Sequence, residues 1–261
     1  MPASAASSLI RIYRPEPDAR LTLFCLSHAG GGASNFRGWA ERLQPDIEVA
    51  AIQLPGREDR YSELPYDNMQ KAVSDVATAI APWMDKPFAV FGHSFGALLG
   101  FELLHELAHN RGRSAECFFV SACRAPHLTV PPPEPLHRLP DPDFLLAMQA
   151  RYGGIPAALA AEPEFLQALM KAIRADFGIF EEYSYRERGL LSCQIMAIGG
   201  TRDANISTDS LKAWSRETSA EFEVKLLNAG HFYLQSHLEE LAPVILSRTC
   251  CWQQSVLDTS G

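Results

Sequence analysis

The 261-residue chain has no apolar run long enough to span a bilayer, no cluster of lysines and arginines, and no two cysteines in C-x-x-C spacing. Each absence removes a class of function. Without a span of about 20 apolar residues, a transmembrane role is not expected. The start, MPASAASSLIRIYRPEPDAR, has neither a basic n-region nor an apolar h-segment, so no secretory signal is read there. A net charge of −8 with no basic patch argues against a nucleic-acid surface. Without a C-x-x-C pair, neither a zinc ribbon nor a dithiol redox motif is supported. Four of the six cysteines, Cys25, Cys117, Cys123 and Cys193, lie in or beside apolar runs, where a thiol behaves as a small hydrophobe. Cytoplasmic residence is the simplest reading. Also missing are a G-K-[ST] phosphate loop and the G-x-G-x-x-G dinucleotide fingerprint.

What is present is a rhythm of short apolar runs and amphipathic stretches. Residues 21–27 (LTLFCLS), 47–54 (IEVAAIQL), 88–91, 116–121, 192–198 and 221–227 predict strands. Residues 34–43, 68–84, the stretch after Ser94, and 234–246 predict helices. Strands alternating with helices predict an α/β fold whose mostly parallel central sheet is covered on both faces. The rhythm breaks after Cys123, where Pro126, Pro131, Pro132, Pro133, Pro135, Pro140 and Pro142 are too many for a sheet interior. Residues 144–152 and 164–183 then read as helices with no strand between them. Residues from about 125 to 189 are therefore expected to form a helical insertion over the loop end of the sheet, within a single domain spanning 1–261.

The sharpest chemical feature is Gly92-His93-Ser94-Phe95-Gly96, where a strand run meets a helical pattern. In that setting G-x-S-x-G is a nucleophile elbow: the serine sits at a tight turn with its hydroxyl exposed, and the glycines permit close backbone approach. The rival reading makes Ser94 an ordinary helix N-cap. A serine nucleophile needs a base and an orienting acid, which in this architecture follow it in the order acid, then histidine. GGTRDANIS places Asp203 in the loop after the next-to-last strand, and NAGHFYL places His231 in the loop after the last. Asp209 is the reserve acid, although it falls at the start of a helix. His105 and His109 lie on the helix after the elbow, His127 and His137 in the insertion, and His237 inside the final helix; His93 is expected to point away from the site. A third element, CLSHAGGGASNF, ends a strand in consecutive glycines, so that backbone amides converge on an oxyanion. The amides of Ala29 and Phe95 are the expected donors.

CLSHAGGGASNF, IQLPGREDRYSE, FGHSFGALLGFELLHEL, GGTRDANIS and NAGHFYL together resemble the type II thioesterases of non-ribosomal peptide and polyketide synthesis, stand-alone α/β-hydrolases, over about residues 21–246. The resemblance implies Ser94 as nucleophile, Asp203 as acid, His231 as base, and Ala29 and Phe95 as oxyanion amides. His28, Gly30, Gly31 and Arg57 fall in the supporting loops, and residues 125–189 become a lid that shapes an acyl chamber. It also implies a monomer without metal or soluble cofactor, whose substrate carries phosphopantetheine and whose partners are acyl or peptidyl carrier proteins of antibiotic or siderophore assembly lines. There it removes aberrant or stalled acyl groups. Ser27 stands where a proline is common and Phe95 where a methionine is usual, the latter expected to narrow the acyl site. Arg57 and Arg60 suit an acidic carrier or a phosphate, but for Arg57 a structural tie to a carboxylate is the favoured reading. The aromatics Phe144, Tyr152, Phe165, Phe177, Phe180, Tyr183 and Tyr185 either line the chamber or pack the lid onto the sheet. The alternatives are a small-molecule carboxylesterase or lipase, a product-releasing thioesterase, an acyltransferase, and a non-catalytic protein of the same fold.

Overall fold

Five of six short runs are buried at nearly every position, on two opposite faces, which makes them strands of a sandwiched sheet; the sixth, at the sheet edge, is largely exposed. β2 (Leu21–Leu26), β3 (Ile47–Ile52), β4 (Phe88–His93), β5 (Cys117–Ser121), β6 (Gln194–Gly200) and β7 (Phe222–Leu227) are parallel to one another, and a two-residue β1 (Ile10–Arg11) adds antiparallel to β3. The computed structural model describes residues 9–152 and 163–250. The sheet order is β1-β3-β2-β4-β5-β6-β7.

Phe24, Leu26, Val90, Phe118 and Val120 face one apolar core with α2 (Met69–Ile80) and α3 (Phe95–Arg111). Leu23, Cys25, Phe91 and Phe119 face the other core with α1 (Trp39–Leu43) and α7 (Leu238–Cys250). Side chains two apart share a face, so each run serves both cores. The chain order reverses at β2, which has β3 on one side and β4 on the other. The loops that follow β2 and β4 therefore flank a crevice at the carboxyl edge of the sheet, where open α/β sheets bind ligands.

Between β5 and β6 lie α4 (Asp141–Tyr152) and α5 (Pro163–Glu181). Phe144, Met148, Met170, Ile173 and Phe177 form a small core of their own between these helices. A short α6 (Thr208–Lys212) follows β6.

Several boundaries differ from the sequence reading. The helix expected over 34–43 is split into a 3₁₀ turn, Ala33–Phe36, and α1, with Gly38 before Trp39. The final helix starts at Leu238, not at 234, because the Leu234 carbonyl accepts from the Trp39 indole N–H at 3.2 Å; His237 thus precedes the helix. The helix of residues 68–84 ends at Ile80 and continues as a 3₁₀ turn, Ala81–Trp83. β1 is too short to leave a periodic signal. Cys25, Cys117, Cys123 and Cys193 are buried free thiols, and burial pushes the Cys123 and Cys193 thiols up to about 12.

Candidate active site

Ser94 follows β4 and precedes α3 with φ 55° and ψ −117°, a conformation that a non-glycine residue adopts only when its surroundings enforce it. Two close backbone approaches do so. A Cβ on Gly92 would stand 2.4 Å from the Gly96 carbonyl oxygen, and one on Gly96 would stand 2.3 Å from the Leu26 carbonyl oxygen. The Ser94 N–H donates to the Ser121 carbonyl of β5 at 2.8 Å. Its side chain makes no capping hydrogen bond to α3, which disposes of the N-cap alternative.

The hydroxyl meets a histidine instead. Ser94 Oγ lies 3.2 Å from His231 Nε2, and His231 Nδ1 lies 2.6 Å from Asp203 Oδ2. Both partners are withdrawn from water, the His231 side chain 5% exposed and that of Asp203 0%. Burial alone would raise the Asp203 carboxyl. The hydrogen bond and charge of His231, with the Asn205 and Ile206 amides, outweigh it and hold the carboxyl below the usual carboxylate range. The Asn205 N–H donates to Asp203 Oδ1 at 2.9 Å, so both carboxylate oxygens are occupied. The reserve acid, Asp209, points to solvent with its side chain 93% exposed beside Lys212.

His93 does turn away from the serine. It is fully buried, its Nδ1 is 2.8 Å from Ser121 Oγ, and that hydroxyl in turn reaches the Tyr233 hydroxyl at 2.7 Å. This second serine–histidine contact has both members at 0% exposure and no carboxylate, so no substrate reaches it. Burial, then the charges of His231 and His28, keep His93 well below the usual imidazole range. The chain of contacts continues from the Tyr233 hydroxyl to the Ile198 carbonyl at 3.0 Å, joining β4, β5 and β6 beneath the loop that carries His231.

The cavity above Ser94 is lined by His28, Ala29 and Phe95 on the sheet side and by Met148, Tyr152, Phe177 and Phe180 from the insertion. Among the described residues, no hydrogen bond engages the amides of Ala29 and Phe95, which leaves two donors beside the serine. The Tyr152 ring lies 5.5 Å from that of His231. Of the other insertion aromatics, Phe144 packs on Phe177, Tyr183 donates to Glu102, and Tyr185 to Glu217. The Phe165 side chain and residues 153–162 lie outside the described part. Phe95 itself is 1% exposed and anchored in the core, so it forms a stiff wall of the cavity. A larger groove, about 1010 Å³, lies elsewhere, between α2, α3 and the end of α5, and its lining includes none of Ser94, His231, Asp203, Ala29 and Phe95.

The supporting loops are tied down tightly. Ser27 Oγ accepts from Asn35 Nδ2 at 3.0 Å, work that a proline there could not do. Gly31 has no room for a Cβ, which would meet Ser27 Oγ at 2.4 Å. His28 is pushed down to about 4, first by burial and then by the charges of His231 and Arg57. Arg57 faces inward, not toward a carrier, and grips Asp176 of α5 through two nitrogens at 2.6 and 3.0 Å. Arg60 pairs with Glu63 and donates to the Gln53 carbonyl at 2.9 Å. Asp176 was not among the residues expected from sequence. The available signal was a single acid on an apolar helix face, between Ile173 and Phe177.

Comparison with known proteins gives a consistent picture. Residues 21–249 match the family model described as the thioesterase domain. A protein named linear gramicidin dehydrogenase LgrE, from Brevibacillus parabrevis, is 39% identical over 233 residues, covering 88% of each chain. The gramicidin S biosynthesis protein GrsT of Aneurinibacillus migulanus is 37% identical over 223 residues, covering 85% of this chain and 86% of its own. Among solved structures, the type II thioesterase BorB from the borrelidin biosynthetic cluster superposes with a TM-score of 0.84 at 31% identity, covering 95% of this chain and 100% of BorB.

Proposed function

We propose, from the premise that this chain belongs to the thioesterase family of the α/β-hydrolase superfamily and is an enzyme that hydrolyses acyl thioesters, that Ser94, His231 and Asp203 form its catalytic triad and that its substrates are acyl groups on the phosphopantetheine arm of carrier proteins. The observation that carries the assignment is the run of contacts from Ser94 Oγ through His231 to Asp203, at 3.2 and 2.6 Å, with Ser94 and His231 lining a cavity that Ala29 and Phe95 also line. Ser94 Oγ attacks the thioester carbonyl while His231 Nε2 takes its proton, and Asp203 holds the imidazole in the required tautomer. The two amides receive the oxyanion. His231 then gives its proton to the departing thiolate, and a water activated by the same nitrogen releases the acid.

We read the chain as one hydrolase domain over 1–261, with residues 125–189 as its lid. The carrier stays outside while its arm reaches the recessed serine. Relatives named for gramicidin and borrelidin biosynthesis support a role in editing or release on biosynthetic assembly lines, which we read as peptide or polyketide lines for an antibiotic or a siderophore. The dehydrogenase in the name of LgrE is not carried over, because HAGGGASN lacks the dinucleotide fingerprint. Four buried free thiols support work in the cytoplasm, and we read the protein as a monomer; among the described residues no helix is long and apolar enough to cross a membrane.

The test compares one acyl chain on a phosphopantetheinylated carrier protein, on N-acetylcysteamine and on an alkyl oxygen ester. The expected result is the highest kcat/KM on the carrier, all of it lost in Ser94→Ala, since remote contacts with the carrier position the reacting group. Equal rates on carrier and small thioester would remove the carrier from the reading. Faster cleavage of the oxygen ester would make the protein an esterase.

A further inference from the structure

Gly30 is where the lid helix, the first loop and the Arg57 loop meet. The Gly31 N–H donates to the His28 carbonyl at 2.9 Å, closing a four-residue turn whose third residue, Gly30, has φ +73°. That is the position at which a type II turn requires a positive φ. Type I and type II turns differ by a flip of the central peptide, here the one joining Ala29 to Gly30. Its N–H is not left to solvent: Gly30 N donates to Asp176 Oδ2 at 2.8 Å. The same carboxylate takes both terminal nitrogens of Arg57, with the Arg57 and Asp176 side chains 2% and 1% exposed. The Arg57 carbonyl accepts from Gln53 Nε2 at 2.9 Å, and Gln53 Oε1 accepts from the Ala33 N–H at 2.6 Å, so the far end of the first loop is held by the same network. A second contact from α5 falls on the same glycine. A Cβ on Gly30 would stand 2.2 Å from Ile173 Cγ1, and Ile173 lies three residues before Asp176 on the same helix face.

We propose that Asp176 is a positioning residue for the hydrolysis: it locks the Ala29–Gly30 peptide in one orientation so that the Ala29 amide keeps its aim at the oxyanion, and, because it belongs to α5, it makes that aim depend on the lid helix being seated. Arg57 holds Asp176 in place through its two terminal nitrogens and compensates the buried carboxylate. The His28 carbonyl and the Ala29 N–H belong to one peptide and point in opposite directions, so the bond from Gly31 fixes one side of that peptide while the Asp176 bond fixes the next peptide along. The inference rests on the reading that Ala29 supplies an oxyanion donor.

Removing one member of a buried ion pair leaves the other uncompensated and endangers folding. The test therefore uses the double variant Arg57→Gln/Asp176→Asn, which removes both charges, beside Asp176→Asn. Four quantities are read on the 261-residue chain: kcat and KM on an N-acetylcysteamine thioester, affinity for an octaneboronic acid, and affinity for the octyl thioether of N-acetylcysteamine. The boronate becomes tetrahedral on the serine and fills the oxyanion site; the thioether fills the acyl cavity but has no carbonyl. The expected result is a fall of about tenfold or more in kcat and an equal fall in boronate affinity, with KM and thioether binding unchanged. A lower melting temperature with kcat and boronate affinity intact would reduce Asp176 to a structural tie and overturn the proposal. So would equal weakening of boronate and thioether, which would mean a misshapen cavity. If the unaltered chain forms no boronate adduct on Ser94, the oxyanion reading itself falls, and this inference falls with it.

Discussion

The carboxylate of Asp203 faces two demands that conflict in water: to stay ionised and to bind a single partner in a single direction. Full removal from solvent meets the second, and the hydrogen bonds to both oxygens meet the first. Asp203→Asn keeps the shape but presents either the wrong hydrogen to His231 or no charge for the imidazolium. Turnover is expected to drop about 10⁴-fold with the melting temperature nearly unchanged. Asp209→Asn, at an exposed side chain, is expected to leave turnover as it was. Steady-state kinetics on the two variants check both, and a damaging Asp209→Asn would move the acid. At this scale the sequence was informative where chemistry is local. Ser94, Asp203 and His231 stand in loops between runs that are plainly strands. Asp176 was not legible because its meaning comes from Arg57, 119 residues away, and the chain carries no periodic mark of that pairing.

The elbow shows how elements impose what a residue does not choose. α3 is buried nearly all round over its first turns, with Phe95, Gly96, Ala97, Leu98, Leu99 and Gly100 inside, and its amino end is pressed against the carboxyl ends of β2 and β4. Gly92→Ala would put a methyl group 2.4 Å from a backbone oxygen that no rotamer change can move. A loss of about 1–3 kcal/mol is expected, read as a lower urea midpoint, together with loss of hydrolysis as α3 shifts. An unchanged midpoint would mean that the elbow has slack. Strands β2 to β7 could be read from sequence because apolar runs bounded by turns have few other uses. The helix ends could not: α7 starts late because Trp39, about 200 residues earlier in the chain, takes the Leu234 carbonyl, a tertiary contact that overrides local pattern.

Across the whole molecule, three imidazoles are held neutral by the fold. Burial, as the leading cause, lowers His28 and His105 to about 4 and His93 well below its ordinary value. In the unfolded chain each takes up a proton near pH 6.5. Between about 4 and about 6.5 the unfolded state binds more protons, so stability rises with pH across that window and falls as the pH is lowered through it. Melting temperatures measured from pH 7 down to pH 4 are expected to decline, with a shallower slope in His105→Gln, which is remote from the proposed triad. An identical slope in that variant would remove His105 from the account.

Ser94 and His231 are 137 residues apart in sequence, and His231 comes after every strand of the sheet. A growing chain therefore displays its hydroxyl long before it owns the proposed base. On that proposal an emerging nascent polypeptide carries a harmless serine, and the power to cleave acyl bonds is expected only once the loop beyond the last strand has folded against it. Unfinished copies that lack this loop are then expected to leave acylated carriers untouched.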